Sequence, residues 1–83
     1  MATSKVVTNT TWQLVASSEE QFIVDNASSY PVQVTFSMSA PAVDAPYHTL
    51  AAKEAIVRMG LTGNVYVRDN SGDIGAAFVI VTV

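Results

Sequence analysis

The chain has 83 residues, enough for one domain, and no cysteine, which excludes disulfides, thiolate metal sites and a cysteine nucleophile. Charged residues make up 13% of it, against about 25% in ordinary globular proteins, and hydrophobic residues make up 49%, which excludes a disordered chain. The net charge of −3 excludes sequence-independent binding to nucleic acid, which needs a basic surface.

Residues 1 to about 10 read as a flexible or partner-contacting arm ahead of the single domain, 1–83. Thr11 to Ala16 is the first candidate strand, with Trp12 and Leu14 on one face directed to the core. Ser17-Ser18-Glu19-Glu20 is a polar turn. Gln21 to Asp25 is a second strand with Phe22 and Val24 inward, and Asn26-Ala27-Ser28-Ser29 turns the chain. Pro31 to Met38 alternates most cleanly: Val32, Val34, Phe36 and Met38 point one way, Gln33, Thr35 and Ser37 the other. Pro31 stands at its first residue, where a missing N–H is tolerated.

Ala40 to Pro46 contains two prolines and predicts an extended surface loop. Tyr47 to Leu50 is a short strand. Ala51 to Met59 suits a helix capped by Thr49 and Gly60, or a strand over Glu54–Arg58 after a turn at Ala52-Lys53. The β-branched pair Ile56-Val57 favours the strand. Asn64 to Asp69 is a strand with Val65 and Val67 inward, Tyr66 and Arg68 outward. Asn70-Ser71-Gly72 reads as a hairpin turn into the last strand.

That last strand, G-A-A-F-V-I-V-T-V, is apolar on both faces: Ala77, Val79, Val81 and Val83 on one, Ala76, Phe78 and Ile80 on the other. A strand with one wet face alternates, so this one is covered on both sides. So short a chain has few layers to provide that cover, and domains of this size are marginal alone. A second copy of the chain is the simplest source. The fold class that follows is all-β: a small antiparallel β-sandwich or barrel-like domain of six to eight short strands.

Candidate chemistry is sparse. Asp69, Ser71 and Asp73 have the first spacings of a calcium loop, but Gly72 is fourth rather than sixth and the twelfth position is Ile80, so a turn is the reading. His48, with Asp25 and Asp44, lacks any nucleophile motif, and caps a loop or lies in a subunit contact. Adjacent Glu19 and Glu20 point to opposite faces if extended, unlike a glycosidase pair. Asn9-Thr10-Thr11 and Asn26-Ala27-Ser28 match a glycosylation sequon by chance, since no signal peptide precedes them. Gly60 and Gly63 do not make a phosphate loop. The expectation is therefore no enzyme, no catalytic residue, no metal and no cofactor. Trp12, Tyr30, Tyr47 and Tyr66 supply the aromatic faces a sugar platform needs. Tyr66 and Arg68 are residue types enriched at interface hot spots. With Phe78 and Ile80 they are the candidate residues of an oligomer or partner interface. No run reaches the ~18 apolar residues of a membrane span, so no membrane partner is expected.

From about residue 20 to 83, the order Phe22-Ile23-Val24-Asp25-Asn26, Ser29-Tyr30-Pro31-Val32, Ser39-Ala40-Pro41, His48-Thr49-Leu50, Glu54-Ala55 and Leu61-Thr62-Gly63-Asn64-Val65-Tyr66-Val67-Arg68 resembles short virion structural proteins of tailed phages. These are of the capsid decoration (cement), spike or fibre type. Ala52-Lys53 stands where their pattern has Pro-Gly, and Asn26-Ala27 replaces a glycine-containing turn. The resemblance implies a non-enzymatic protein made in the host cytoplasm and resident in the virion. It implies a homo-oligomer, a trimer before other states, docked on other virion proteins such as the major capsid protein. The alternative within the same resemblance is a carbohydrate- or receptor-binding module of a spike or fibre.

Overall fold

The computed structural model describes residues 3–17, 21–59, 63–69 and 77–83. Within them the chain forms eight strands and no helix: β1 (Thr3–Val7), β2 (Gln13–Ser17), β3 (Gln21–Asp25), β4 (Val32–Ser37), β5 (His48–Leu50), β6 (Ala55–Met59), β7 (Asn64–Arg68) and β8 (Phe78–Thr82). They make two four-stranded antiparallel sheets, ordered β1-β8-β3-β6 and β2-β7-β4-β5. The expected small all-β sandwich is the observed class.

The order has a simple origin. β1 pairs with β8, β2 with β7, β3 with β6 and β4 with β5, so the chain is one long antiparallel ribbon doubled back between β4 and β5. Rolling that ribbon adds the pairs β3 with β8 and β4 with β7. This is the connectivity of a jelly roll. Thr3 lies opposite Thr82, so the outermost pairing closes a loop of nearly the whole chain and predicts slow folding.

Several expectations change. Thr3–Val7 is not a flexible arm but an edge strand paired along its length with β8. β7 and β8 lie in different sheets, so the connection between them is not a hairpin; residues 70–76 themselves lie outside those described. The turn read at 17–20 likewise falls mostly outside the described residues. Residues 51–59 resolve as turn and strand. Glu54 N donates to the Ala51 carbonyl at 3.0 Å, and Lys53 takes φ 67°, the left-handed value of the third position of a type II turn. Lys53 therefore holds a conformation that glycine adopts more easily. Met38 lies beyond the end of β4 and is exposed, because the chain leaves the sheet at Ser37.

The core is a single cluster between the sheets. Phe22, Val24, Ala77, Val79 and Val81 come from one sheet, and Ala16, Val32, Val34, Leu50, Val65 and Val67 from the other. Phe22 and Phe36 meet across the gap with ring centroids 6.4 Å apart, tilted by 57°. A shift of register occurs in β2 between Leu14 and Ala16, a β-bulge that leaves Val15 without a partner and turns Ala16 inward. Trp12 and Leu14 do share a side, as expected, but it is the outer side: Leu14 pairs with outward Tyr66 and is exposed.

Fully buried Asn26 ties the two sheets together at one end. Its Nδ2 donates to the Tyr30 carbonyl at 2.6 Å and to the Leu50 carbonyl at 3.0 Å. Its Oδ1 accepts from Ser28 N at 3.2 Å and from Ser28 Oγ at 2.6 Å. Its backbone N–H donates to the Glu54 carbonyl at 2.8 Å, and its carbonyl accepts from Lys53 N at 2.7 Å. An amide so enclosed is closed to glycosylation, whatever the sequon.

Candidate interaction surface

The sandwich has two outer faces, and the chain treats them differently. On the β2-β7-β4-β5 sheet, register places Leu14, Tyr66 and Thr35 in one outward row, and Arg68 and Gln33 in another. The β4–β5 connection lies over these rows. Thr35 Oγ1 donates to the Pro46 carbonyl at 2.9 Å, Trp12 Nε1 to the Ala42 carbonyl at 3.0 Å, and Arg68 Nη1 to the Val43 carbonyl at 2.7 Å. Arg68 Nε also donates to Gln33 Oε1 at 2.5 Å. The guanidinium carbon stands 4.1 Å from the Trp12 ring centroid and 5.5 Å from that of Tyr47. A planar cation between two aromatic faces, with its N–H groups on oxygens, is a well-satisfied buried charge.

Tyr66 and Arg68 thus point outward from their strand, as read, but they are only 8% and 6% exposed. The expectation that they meet a partner rested on exposure that they lack: both are nearly buried within the chain, and Arg68 is held by the Val43 carbonyl of the β4–β5 connection. Trp12 and Tyr47 do come together, 6.5 Å apart, with rings inclined by 56° around Arg68. Tyr66 is nearly buried and Tyr30 belongs to the turn beside Asn26, so the four aromatics do not form one platform.

On the β1-β8-β3-β6 sheet, directly opposed residues share a face, and the outward rows follow from register. Val7 stands beside Phe78. Lys5, Ile80, Asp25 and Ala55 form the next row, and Thr3, Thr82, Ile23 and Val57 the third. Phe78 and Ile80 are half-buried here, while Val57 is 65%, Val7 46% and Ile23 38% exposed. Lys5 Nζ sits 4.5 Å from the centre of the Phe78 ring. Full burial of a Val, Ile or Phe side chain is worth about 1.5–3 kcal/mol, so five such groups left partly open hold back several kcal/mol of apolar burial. Val7, Ile23 and Val57 were missed from sequence. The signal was present in Phe22-Ile23-Val24 and Ala55-Ile56-Val57, which are apolar on both faces just as β8 is.

A cleft of about 370 Å³ opens between the sheets beside β5 and β6. Phe36, Leu50 and Ile56 give it an apolar lining, and exposed His48, Thr49 and Glu54 border it. His48 shares the inner side of its sheet with Val34, whereas Asp25 is on the outer face of the other sheet, so these two are not brought together. Glu54 Oε1 accepts from Ala51 N at 2.8 Å and is occupied with its own turn. Asp69 is buried, and Ser71 and Asp73 lie outside the described residues, as do Glu19 and Glu20. Among the described residues no group of three His, Asp or Glu side chains is placed to hold a metal.

Comparison with protein-family models, with curated proteins and with solved structures gave no match.

Proposed function

We propose that this chain is a non-enzymatic structural subunit of a tailed-phage virion, of the capsid decoration type. It associates with its own copies and docks, assembled, on other virion proteins. The observation that carries the reading is the open apolar face around Phe78 and Ile80, on a strand whose other face already fills the core. The jelly-roll connectivity supports it as an analogy of fold, since capsid and lectin domains use it. The low proportion of charge supports it too, because an assembled subunit has less surface to keep in water. The experiment is quantitative mass spectrometry of virus particles purified from cells that make the chain. The reading expects it in the particles at the abundance of a structural protein; its absence from them overturns the virion assignment.

A second reading, a carbohydrate-binding module of a spike or fibre, draws on the Trp12–Tyr47 pair, of which Tyr47 is well exposed. Glycan-array binding that disappears in Tyr47→Ala would support it. An array with no hit for the native protein removes it.

A further inference from the structure

The open face carries a charge pattern that selects how a second copy sits on it. Lys5 and Asp25 flank Ile80 in one row, on the strands either side of β8. Strand spacing puts their backbones roughly 10 Å apart. At that distance the two charges attract each other only weakly within one chain at physiological salt. Phe78 leads this row on β8 and Thr82 follows it, so the strip runs from apolar to polar along the strand.

We propose that two copies pair face to face through the β1-β8-β3-β6 sheet, about a two-fold axis that runs along β8. Two face-to-face arrangements keep the β8 strands stacked. An axis across the strands sets Lys5 against the partner's Lys5 and Asp25 against the partner's Asp25, and lays Phe78 on the partner's Thr82. An axis along the strands sets Lys5 against the partner's Asp25 and Asp25 against the partner's Lys5, and brings Phe78, with Lys5 Nζ now over its ring, opposite Phe78, and Ile80 opposite Ile80. Like charges face to face are strongly disfavoured, so the second arrangement is selected. It is also isologous, with each contact made twice, as a closed pair requires. The axial tilt of about 30° usual between stacked sheets leaves the central Ile80 row in register.

Four strands of five residues give a face of roughly 19 by 17 Å, which is small for a permanent interface and fits a pair that dissociates on dilution. This inference rests on the self-association proposed above and specifies its geometry.

The test is the dissociation constant of the pair, from light scattering or sedimentation across a dilution series at low salt. Native protein, Lys5→Asp, Asp25→Lys and the double exchange are compared, with circular dichroism and thermal unfolding to establish that each is folded. Phe78→Asp serves as the face-breaking control. Each single reversal sets two like-charged pairs together, and is expected to weaken the pair at least tenfold. The double exchange restores the native constant to within about threefold, since it regenerates both opposite pairs. If Phe78→Asp dissociates the assembly but the single reversals leave it intact, or if the native mass is that of a trimer, the two-fold geometry is overturned and self-association stands. If the native protein is a monomer throughout, both fail.

Discussion

On the β2-β7-β4-β5 sheet the outward Thr35 and Arg68 are held by the chain's own β4–β5 connection, while on the β1-β8-β3-β6 sheet Val7, Ile23 and Val57 stay exposed around Phe78 and Ile80. The covered face is polar and aromatic, and its loop is held by hydrogen bonds to carbonyls and by a stacked guanidinium. The open face is largely apolar, with one lysine and one aspartate near its centre and the hydrogen-bonded pair Thr3–Thr82 at one end. A loop rich in free carbonyls can dock on donors such as Arg68 and Trp12, and these are what the covered face supplies. The open face offers few donors, and apolar surface is what removes it from water most effectively. The difference in chemistry explains why the chain's own loop settles on the first face, where Leu14 alone of the outward row stays exposed, and not on the second.

The contrast breaks most severely at Arg68. Arg68→Ala removes two hydrogen bonds and the stacked cation, leaves Gln33 and the Val43 carbonyl without their donor, and lifts the loop. A loss of about 3 kcal/mol in urea unfolding is expected, with faster proteolysis between residues 38 and 47. A loss under about 1 kcal/mol would mean that the loop stays down without it. Asn26→Ala strikes the junction between the sheets and neither outer face. It should cost about 2–3 kcal/mol while leaving the self-association of the folded fraction unchanged. A change in association without a loss of stability would tie the open face to that junction and blur the contrast. The smallest effect is at the β5–β6 turn, where Lys53→Gly relieves the positive φ and forfeits one exposed bond from Lys53 Nζ to the Ala27 carbonyl. A gain of up to about 1 kcal/mol is expected in thermal unfolding, and a lowered melting temperature would show that the lysine contact outweighs the backbone strain.

Local pattern carried much of this architecture. The alternation of Val32, Val34 and Phe36 and the pairs Phe22/Val24 and Val65/Val67 placed the inner faces correctly, because period two is a property of each strand alone. The two-sided apolarity of β8 identified Phe78 and Ile80 as outward apolar residues. What local pattern lacks is knowledge of which segment lies over which. Arg68 was legible as outward but not as covered, since its cover comes from the β4–β5 connection and Trp12 through contacts that exist only after folding. The bulge in β2 inverted the expected direction of Trp12 and Leu14, and no turn residue announces it. The β7–β8 connection looked like a hairpin because Asn-Ser-Gly suits one, yet the rolled ribbon sends the two strands to different sheets.

The most direct measurement is the solution mass of the native chain and of Ile80→Asp, side by side, by light scattering over a dilution series. The account predicts a native mass above the 8.8 kDa of one chain that falls toward it on dilution, and a variant that is folded and stays at 8.8 kDa. A native protein at 8.8 kDa at every concentration, or a variant that assembles as the native protein does, would contradict it.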